Sequence, residues 1–214
     1  MPRPVLYVLA GTNGAGKSSV GGHLLRQAGL NWFNPDAFAR ELVAELGCAQ
    51  EEANAIAWQE GMRRLDAALR EGRNYAFETT LGGRSVPARI KAATETHDVL
   101  IWFCGLSSPE QHIARVRARV ARGGHDIPAD LIRRRYRLAQ ENLIALMPYL
   151  AGLQIYDNSR EAEPGEPIPD PLLLAQMEGG HLVWPTAPEE LRKTPDWAKP
   201  LLEAALSLGL GLKP

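Results

Sequence analysis

Cysteine is nearly missing from this sequence, with two residues, Cys48 and Cys104, among 214. They lack metal-ligand spacing and are too few for a disulfide framework, which excludes a small disulfide-stapled secreted module. No run of eighteen apolar residues occurs, so no segment reads as a membrane span. A signal-peptide layout is also missing, because Met1-Pro2-Arg3-Pro4 leads straight into an apolar run. Charge of one sign is absent as well. Lys+Arg is 24 and Asp+Glu is 25, a net charge of −1, which argues against a broad surface for nucleic acid or anionic membrane. What is present, 45% hydrophobic and 23% charged residues, is a globular composition. The length allows one sizeable domain, or a core with a small appendage. The expectation is a cytoplasmic, soluble protein. Lysine is scarce too, at 5 against 19 arginines, and eight of those arginines lie between Arg115 and Arg137.

Val5–Ala10 is a short continuous apolar run, as expected of a strand covered on both faces of a parallel sheet. After residues 11–17, Ser18–Ala28 reads as a helix closed by Gly29, and Asn31–Asn34 as a short strand. Asp36–Gly47 and Gln50–Glu71 show helical spacing, the second stopped by Gly72. Tyr75–Thr79 and Val99–Cys104 are predicted strands around a helical stretch at Pro87–Thr96. Pro109–Arg122 and Pro128–Leu150 are predicted helices broken at Gly123-Gly124, and Leu153–Tyr156 is the last core strand. This alternation predicts a three-layer α/β fold with a parallel sheet of about five strands and a helical lid at about 115–137. We therefore divide the chain into a core at 1–160 and an extension at 161–214. The extension opens on a proline-rich linker, Glu161–Pro171. Leu172–Gln176 and His181–Trp184 follow as a hairpin and Asp196–Leu208 as a helix, both packed on the core.

Gly11-Thr12-Asn13-Gly14-Ala15-Gly16-Lys17-Ser18 satisfies the phosphate-loop pattern in full, with a strand before it and a helix after it. Its glycines let the backbone wrap phosphate oxygens, and the helix N-terminus adds positive potential. Lys17 supplies charge to the β- and γ-phosphates and the Ser18 hydroxyl is a ligand for Mg²⁺. The pattern implies a bound nucleoside triphosphate, ATP–Mg²⁺.

In such sheets functional groups collect past the carboxyl ends of the strands. Asp36 stands there, in Asn34-Pro35-Asp36. It reads either as a helix cap or as a base accepting the proton of an attacking hydroxyl, or as a carboxylate near magnesium. Glu78, in Phe77-Glu78-Thr79-Thr80, suits hydrogen bonding to a polyhydroxylated acceptor or to water around Mg²⁺. The arginine run carries a local charge of +6, eight arginines against Asp126 and Asp130. It straddles Arg122-Gly123-Gly124-His125, a break suited to a lid, where His125 is a lid or hinge candidate. On the following helix Arg135 and Asn142 fall within the apolar stripe, while Arg133 and Arg137 do not. An inward arginine needs an anionic partner, and a triphosphate is a fitting one.

GTNGAGKSS, NPD, FETTL, RVRARVARGGHDIP with IRRRY, and IYDNS together resemble the zeta-toxin-like P-loop kinases over roughly residues 5 to 160. The resemblance implies a small-molecule kinase, with a UDP-amino sugar as the acceptor of the better-known members. Carried over by motif, the loop through Lys17, Ser18 and Ser19 would hold ATP–Mg²⁺, and Asp36 would be the general base. Glu78 and Thr80 would face the acceptor. Arg119 and Arg135 would clamp the γ-phosphate, with Arg115 and Arg134 in reserve. Asn158, after the last strand, would lie near the adenine. The GGHDIP segment departs from the sugar-nucleotide kinases, and no antitoxin-like region is visible in the chain. Two other readings share the nucleotide loop: an ATPase or switch acting on a macromolecule, and a 5′-hydroxyl nucleic-acid kinase. Tyr136 is the lone aromatic in the basic run, which argues against a single-stranded nucleic acid partner.

Overall fold

A computed structural model describes residues 2–18, 21, 31–161 and 169–211. Strand β1 (Val5–Ala10) lies between β2 (Tyr75–Thr79) and β3 (Asp98–Gly105), and β4 (Gly152–Asp157) follows β3. These four strands are parallel. Two antiparallel strands, β5 (Leu172–Glu178) and β6 (His181–Trp184), complete a six-stranded sheet in the order β2-β1-β3-β4-β5-β6. The hairpin thus does more than pack on the core: it hydrogen-bonds to β4 and covers an edge that would otherwise present unpaired backbone groups. Its turn uses Gly179 and Gly180 at φ 54° and 83°, values that match the twist of a two-residue hairpin. The strand predicted at Asn31–Asn34 reduces to a bridge at Phe33, which exchanges 2.9 Å backbone hydrogen bonds with Ala76 and Glu78 of β2.

The helices are α1 (Pro35–Leu46), α2 (Gln50–Glu71), α3 (Ser85–Ala93), α4 (Pro109–Val120), α5 (Ala129–Leu146), the short α6 (Pro188–Leu191) and α7 (Lys199–Gly209). Lys17 and Ser18 are also helical, while the remainder of the helix expected at Ser18–Ala28, apart from Gly21, lies outside the described residues. The same holds for residues 162–168 of the expected linker. Helix α5 ends sooner than its apolar pattern predicts, because Pro148 forces Met147–Tyr149 into a 3₁₀ turn.

The main core joins Leu6, Val8, Ile101 and Ile155 of the sheet to Leu143 of α5 and to Leu201, Leu202 and Ala205 of α7. A smaller cluster of Ile113, Val116, Ile127 and Ile132 lies between α4 and α5. It anchors the segment joining these helices by burying Ile127. The parallel register sets Leu9 beside Glu78, so the end of β2 stands level with the chain leaving β1.

Candidate active site

The loop after β1 turns at three glycines in conformations that disfavour other residues: Gly11 at φ 140°, Gly14 at 83° and Gly16 at 80°. A side chain at Gly14 would meet the His112 carbonyl at 2.7 Å, and one at Gly16 would meet the Asn158 amide. The loop's carbonyls are tied once from within and twice from outside. Ala15 N–H donates to Thr12 O at 3.1 Å, His112 Nδ1 is 2.8 Å from Asn13 O, and Asn158 Nδ2 donates to Ala15 O at 2.9 Å. This bracing makes a preformed phosphate cradle ahead of a helix start. Asn158 is therefore placed on the loop's backbone. Ser19 lies outside the described residues.

His112 was not singled out by its sequence position, although it sits on the stripe of α4 that also buries Ile113 and Val116. It is 1% exposed, and burial pulls its pKa down to about 4 despite the bond to Asn13. Nδ1 donates to the Asn13 carbonyl as the neutral ring, which packs edge-on against Tyr136 at 5.5 Å. The folded chain keeps His112 neutral down to about pH 4, whereas the unfolded chain protonates it near 6.5. Its contribution to stability is complete above pH 6.5 and is lost as pH falls toward 4, by about 3 kcal/mol. Urea unfolding at pH 7 and pH 4.5 should show a larger acid loss in the native chain than in His112→Asn. Equal losses would remove His112 as the cause.

Glu78 does not face solvent at the strand end. Its side chain is buried, with Oε1 3.5 Å from Lys17 Nζ, while Oε2 accepts from Ser18 Oγ and from Asn34 Nδ2, both at 2.9 Å. Asn34 Nδ2 is also 3.1 Å from Ser18 Oγ, and Lys17 Nζ is 3.4 Å from Thr12 O. An oxygen pair from Ser18 and Glu78 beside the phosphate loop fits a hard divalent cation that arrives with a triphosphate. Among the described residues no group of three or more His, Cys, Asp and Glu is arranged to hold a metal alone.

Asp36 is not the cap of α1. Asn34 is, its Oδ1 accepting from Ala37 N at 3.0 Å, with Pro35 opening the helix. Asp36 falls in the first turn, forms no hydrogen bond within the described residues, and lines a cavity of about 740 Å³. Asn13, Lys17, Glu78, His125, Arg134 and Arg135 line the same cavity. Thr80 lines it as well, and its Oγ1 accepts from Gly82 N at 3.3 Å, a turn contact that fixes the loop after β2.

The arginines of the predicted lid separate by partner. Arg135 Nη1 donates to Asn13 Oδ1 at 2.8 Å. Burial holds its pKa below the ordinary value, with the Asp36 carboxylate opposing and Arg134 adding to the shift. Arg119 Nη2 donates to the His125 carbonyl at 3.1 Å, and its buried Nε has no partner among the described residues. His125 has a lowered pKa, chiefly from burial, which Asp36 opposes and Arg119, Arg40 and Arg135 reinforce. Arg115 points elsewhere, to the Arg160 carbonyl at 3.2 Å. Arg133 and Arg137 lie outward and pair with Glu110, Asp130 and Glu141. Asn142 donates to the carbonyls of Leu81 (2.7 Å) and Gly83 (2.9 Å), which explains a polar residue within the α5 stripe.

No helix among the described residues is long and apolar enough to cross a membrane. Several solved structures share the fold. One is AvrRxo1-ORF1:-ORF2 with ATP (17% identity, TM-score 0.63), of which this chain spans 64% while 95% of this chain is covered. Another is the PezAT toxin–antitoxin system of Streptococcus pneumoniae (17%, TM-score 0.52, 73% of this chain and 68% of that one). The Pnkp1/Rnl/Hen1 RNA repair complex is a third (23%, TM-score 0.52, 66% and 46%). An uncharacterized protein of Haemophilus influenzae is 30% identical over 133 residues, covering 59% of this chain and 88% of the relative. The three solved structures share with this chain the α/β fold of P-loop kinase-like proteins. The family described as an AAA domain matches residues 6–141, and the chain belongs to that family.

Proposed function

We propose that this protein is an ATP-dependent small-molecule kinase of the zeta-toxin type, transferring the γ-phosphoryl group to an acceptor hydroxyl. The observation that carries the reading is one cavity lined by the phosphate loop, Asp36 and Arg135 together. About 740 Å³ lies within the range that encloses a small molecule.

Lys17 and the loop amides hold the phosphates. Ser18 and Glu78 would hold Mg²⁺, which would supply positive charge against the triphosphate. Asp36 accepts the proton as the acceptor oxygen bonds to the γ-phosphorus, the bond to the β,γ-bridging oxygen breaks, and ADP leaves with that electron pair. Arg135 leaves Asn13 for the γ-phosphoryl oxygens, and Arg119 fixes the His125 turn over the site. Arg134, Thr80 and His125 line the acceptor side, while Arg115 supports the chain at Arg160. Every residue lining the cavity lies between Asn13 and Arg135, which supports reading 1–160 as the catalytic unit and 161–214 as its packing extension. Such chemistry belongs in the cytoplasm, where ATP and Mg²⁺ are plentiful.

The test incubates the chain with ATP and a panel of UDP-sugars, nucleosides and 5′-hydroxyl oligonucleotides, following mass. The expected result is a gain of one phosphoryl group on a small acceptor, with a UDP-amino sugar tried first. Hydrolysis of ATP with no acceptor modified would replace this reading with a nucleotide-dependent switch.

A further inference from the structure

Among the described residues, seven large apolar side chains are exposed, and of these Trp58 alone lines the cavity. It is 47% exposed. Trp58 belongs to a face of α2 on which Gln50 and Asn54 precede it at steps of four, so all three lie in line along the cavity wall. The neighbouring face carries Ala53 and Ala57, which are buried against Ala39 of α1. Packing of the first half of α2 is thus done by alanines, with Met62 and Leu65 entering the main core further on, and the indole takes no part in the alanine cluster. Three residues on, Gly61 supplies no side chain, so the wall beyond the indole opens onto the Phe33 ring, which a side chain at Gly61 would meet at 2.9 Å.

The amides add direction. Gln50 Nε2 donates to Asn54 Oδ1 at 2.9 Å. Among the described residues that leaves one carbonyl acceptor, on Gln50, and one amide donor group, on Asn54, unspent on the same wall. A flat aromatic face beside an acceptor and a donor matches a planar ring whose edge alternates the same two functions. A sugar ring can also lay its C–H face on an indole, but only a nucleobase adds to its π-face a planar edge that mixes donor and acceptor in the way this wall does.

We infer that this face of α2 is a ring-stacking subsite, and that the phosphoryl acceptor is a nucleoside-class compound whose base lies on Trp58. The inference rests on the cavity being the acceptor site of the proposed kinase. Asp36 lines the same cavity from α1, so the sugar hydroxyl of a compound anchored at Trp58 is the group offered to it.

Binding separates this subsite from the reaction. The full chain is saturated with Mg²⁺ and a non-hydrolysable ATP analogue, which fills the phosphate loop. It is then titrated calorimetrically with adenosine, guanosine, cytidine and uridine, and with glucose and glycerol as compounds without a planar ring. At least one nucleoside is expected to bind. Trp58→Ala should weaken that nucleoside roughly 5- to 150-fold, the range for losing one base–aromatic stack. Trp58→Phe, which keeps a π-face, should stay within about 5-fold of the native chain. Thermal melts of both variants should match the native chain, since the indole lies outside the core. Absence of nucleoside binding, or equal affinity in Trp58→Ala, overturns the subsite. If Trp58-dependent binding stands but the acceptor panel shows no transfer, the kinase reading fails while the subsite holds. Transfer to glucose or glycerol, unaffected by Trp58→Ala, does the reverse.

Discussion

Asp36→Asn is expected to bind ATP as the native chain does and to lose about 10²- to 10⁴-fold in kcat, the usual worth of a positioned general base. Its location makes the substitution clean. Asn34 caps α1, so the helix does not need the Asp36 carboxylate, and no described hydrogen bond depends on it. The isosteric amide keeps the shape of the cavity wall and removes the proton acceptor alone. A second signature follows from charge. The Asp36 carboxylate raises the pKa values of His125 and Arg135 against the lowering effect of their burial. Without it His125 should titrate at still lower pH, observable by following its ring carbon protons by NMR. A variant that retains full transfer activity in single-turnover assays would disqualify Asp36 as the base. A variant that loses ATP binding would point to a role in nucleotide capture instead.

The phosphate loop was legible in the sequence because its determinants are local. Three glycines take conformations few other residues tolerate, and the strand leads through the loop to a helix start at Lys17. The outward placement of Arg133 and Arg137 was equally legible, since helix periodicity assigns faces without reference to any partner. Asp36 was harder to place, because an aspartate after Asn-Pro reads as a cap as readily as a base. The cap reading falls because Asn34 Oδ1 already meets Ala37 N.

The rest of the candidate site is non-local. Glu78 meets Ser18 across 60 residues, and that contact exists because the parallel register brings the ends of β1 and β2 level. His112 braces Asn13 across 99 residues. Nothing in the spacing of a histidine on an apolar helix stripe names the backbone carbonyl it will reach. The hairpin was recognisable from its Gly-Gly turn, but its pairing with β4 depends on an edge that exists only after the sheet has formed. Trp58 escaped notice for a related reason. In a helix of strong periodicity a tryptophan reads as core, and only the small residues Ala53 and Ala57, taking the packing face, leave it at the cavity.

Arg135→Ala carries the other large expected effect, a fall in kcat of about 10³-fold or more, the range for an arginine that stabilises a transferring phosphoryl group. The arginine's stem is held tightly, because a side chain at Gly82 would meet its Cγ at 2.7 Å and its Cβ at 2.8 Å. Its head instead rests on an uncharged partner, Asn13 Oδ1. A half-buried guanidinium satisfied by an amide oxygen retains most of its charge for a stronger anion. Arg135→Lys should rescue little, since a lysine supplies a point charge without the planar fork that spans two phosphoryl oxygens. Asn13→Ala separates the two roles that the contact allows. If Arg135 serves to brace the phosphate loop, Asn13→Ala and Arg135→Ala remove one and the same bond, and their effects on kcat should match. If Arg135 transfers to the γ-phosphate, Asn13→Ala should cost about 10-fold or less, the worth of one hydrogen bond, while Arg135→Ala costs about 10³-fold. Matching losses in both single variants and in the double variant would reduce Arg135 to a structural brace.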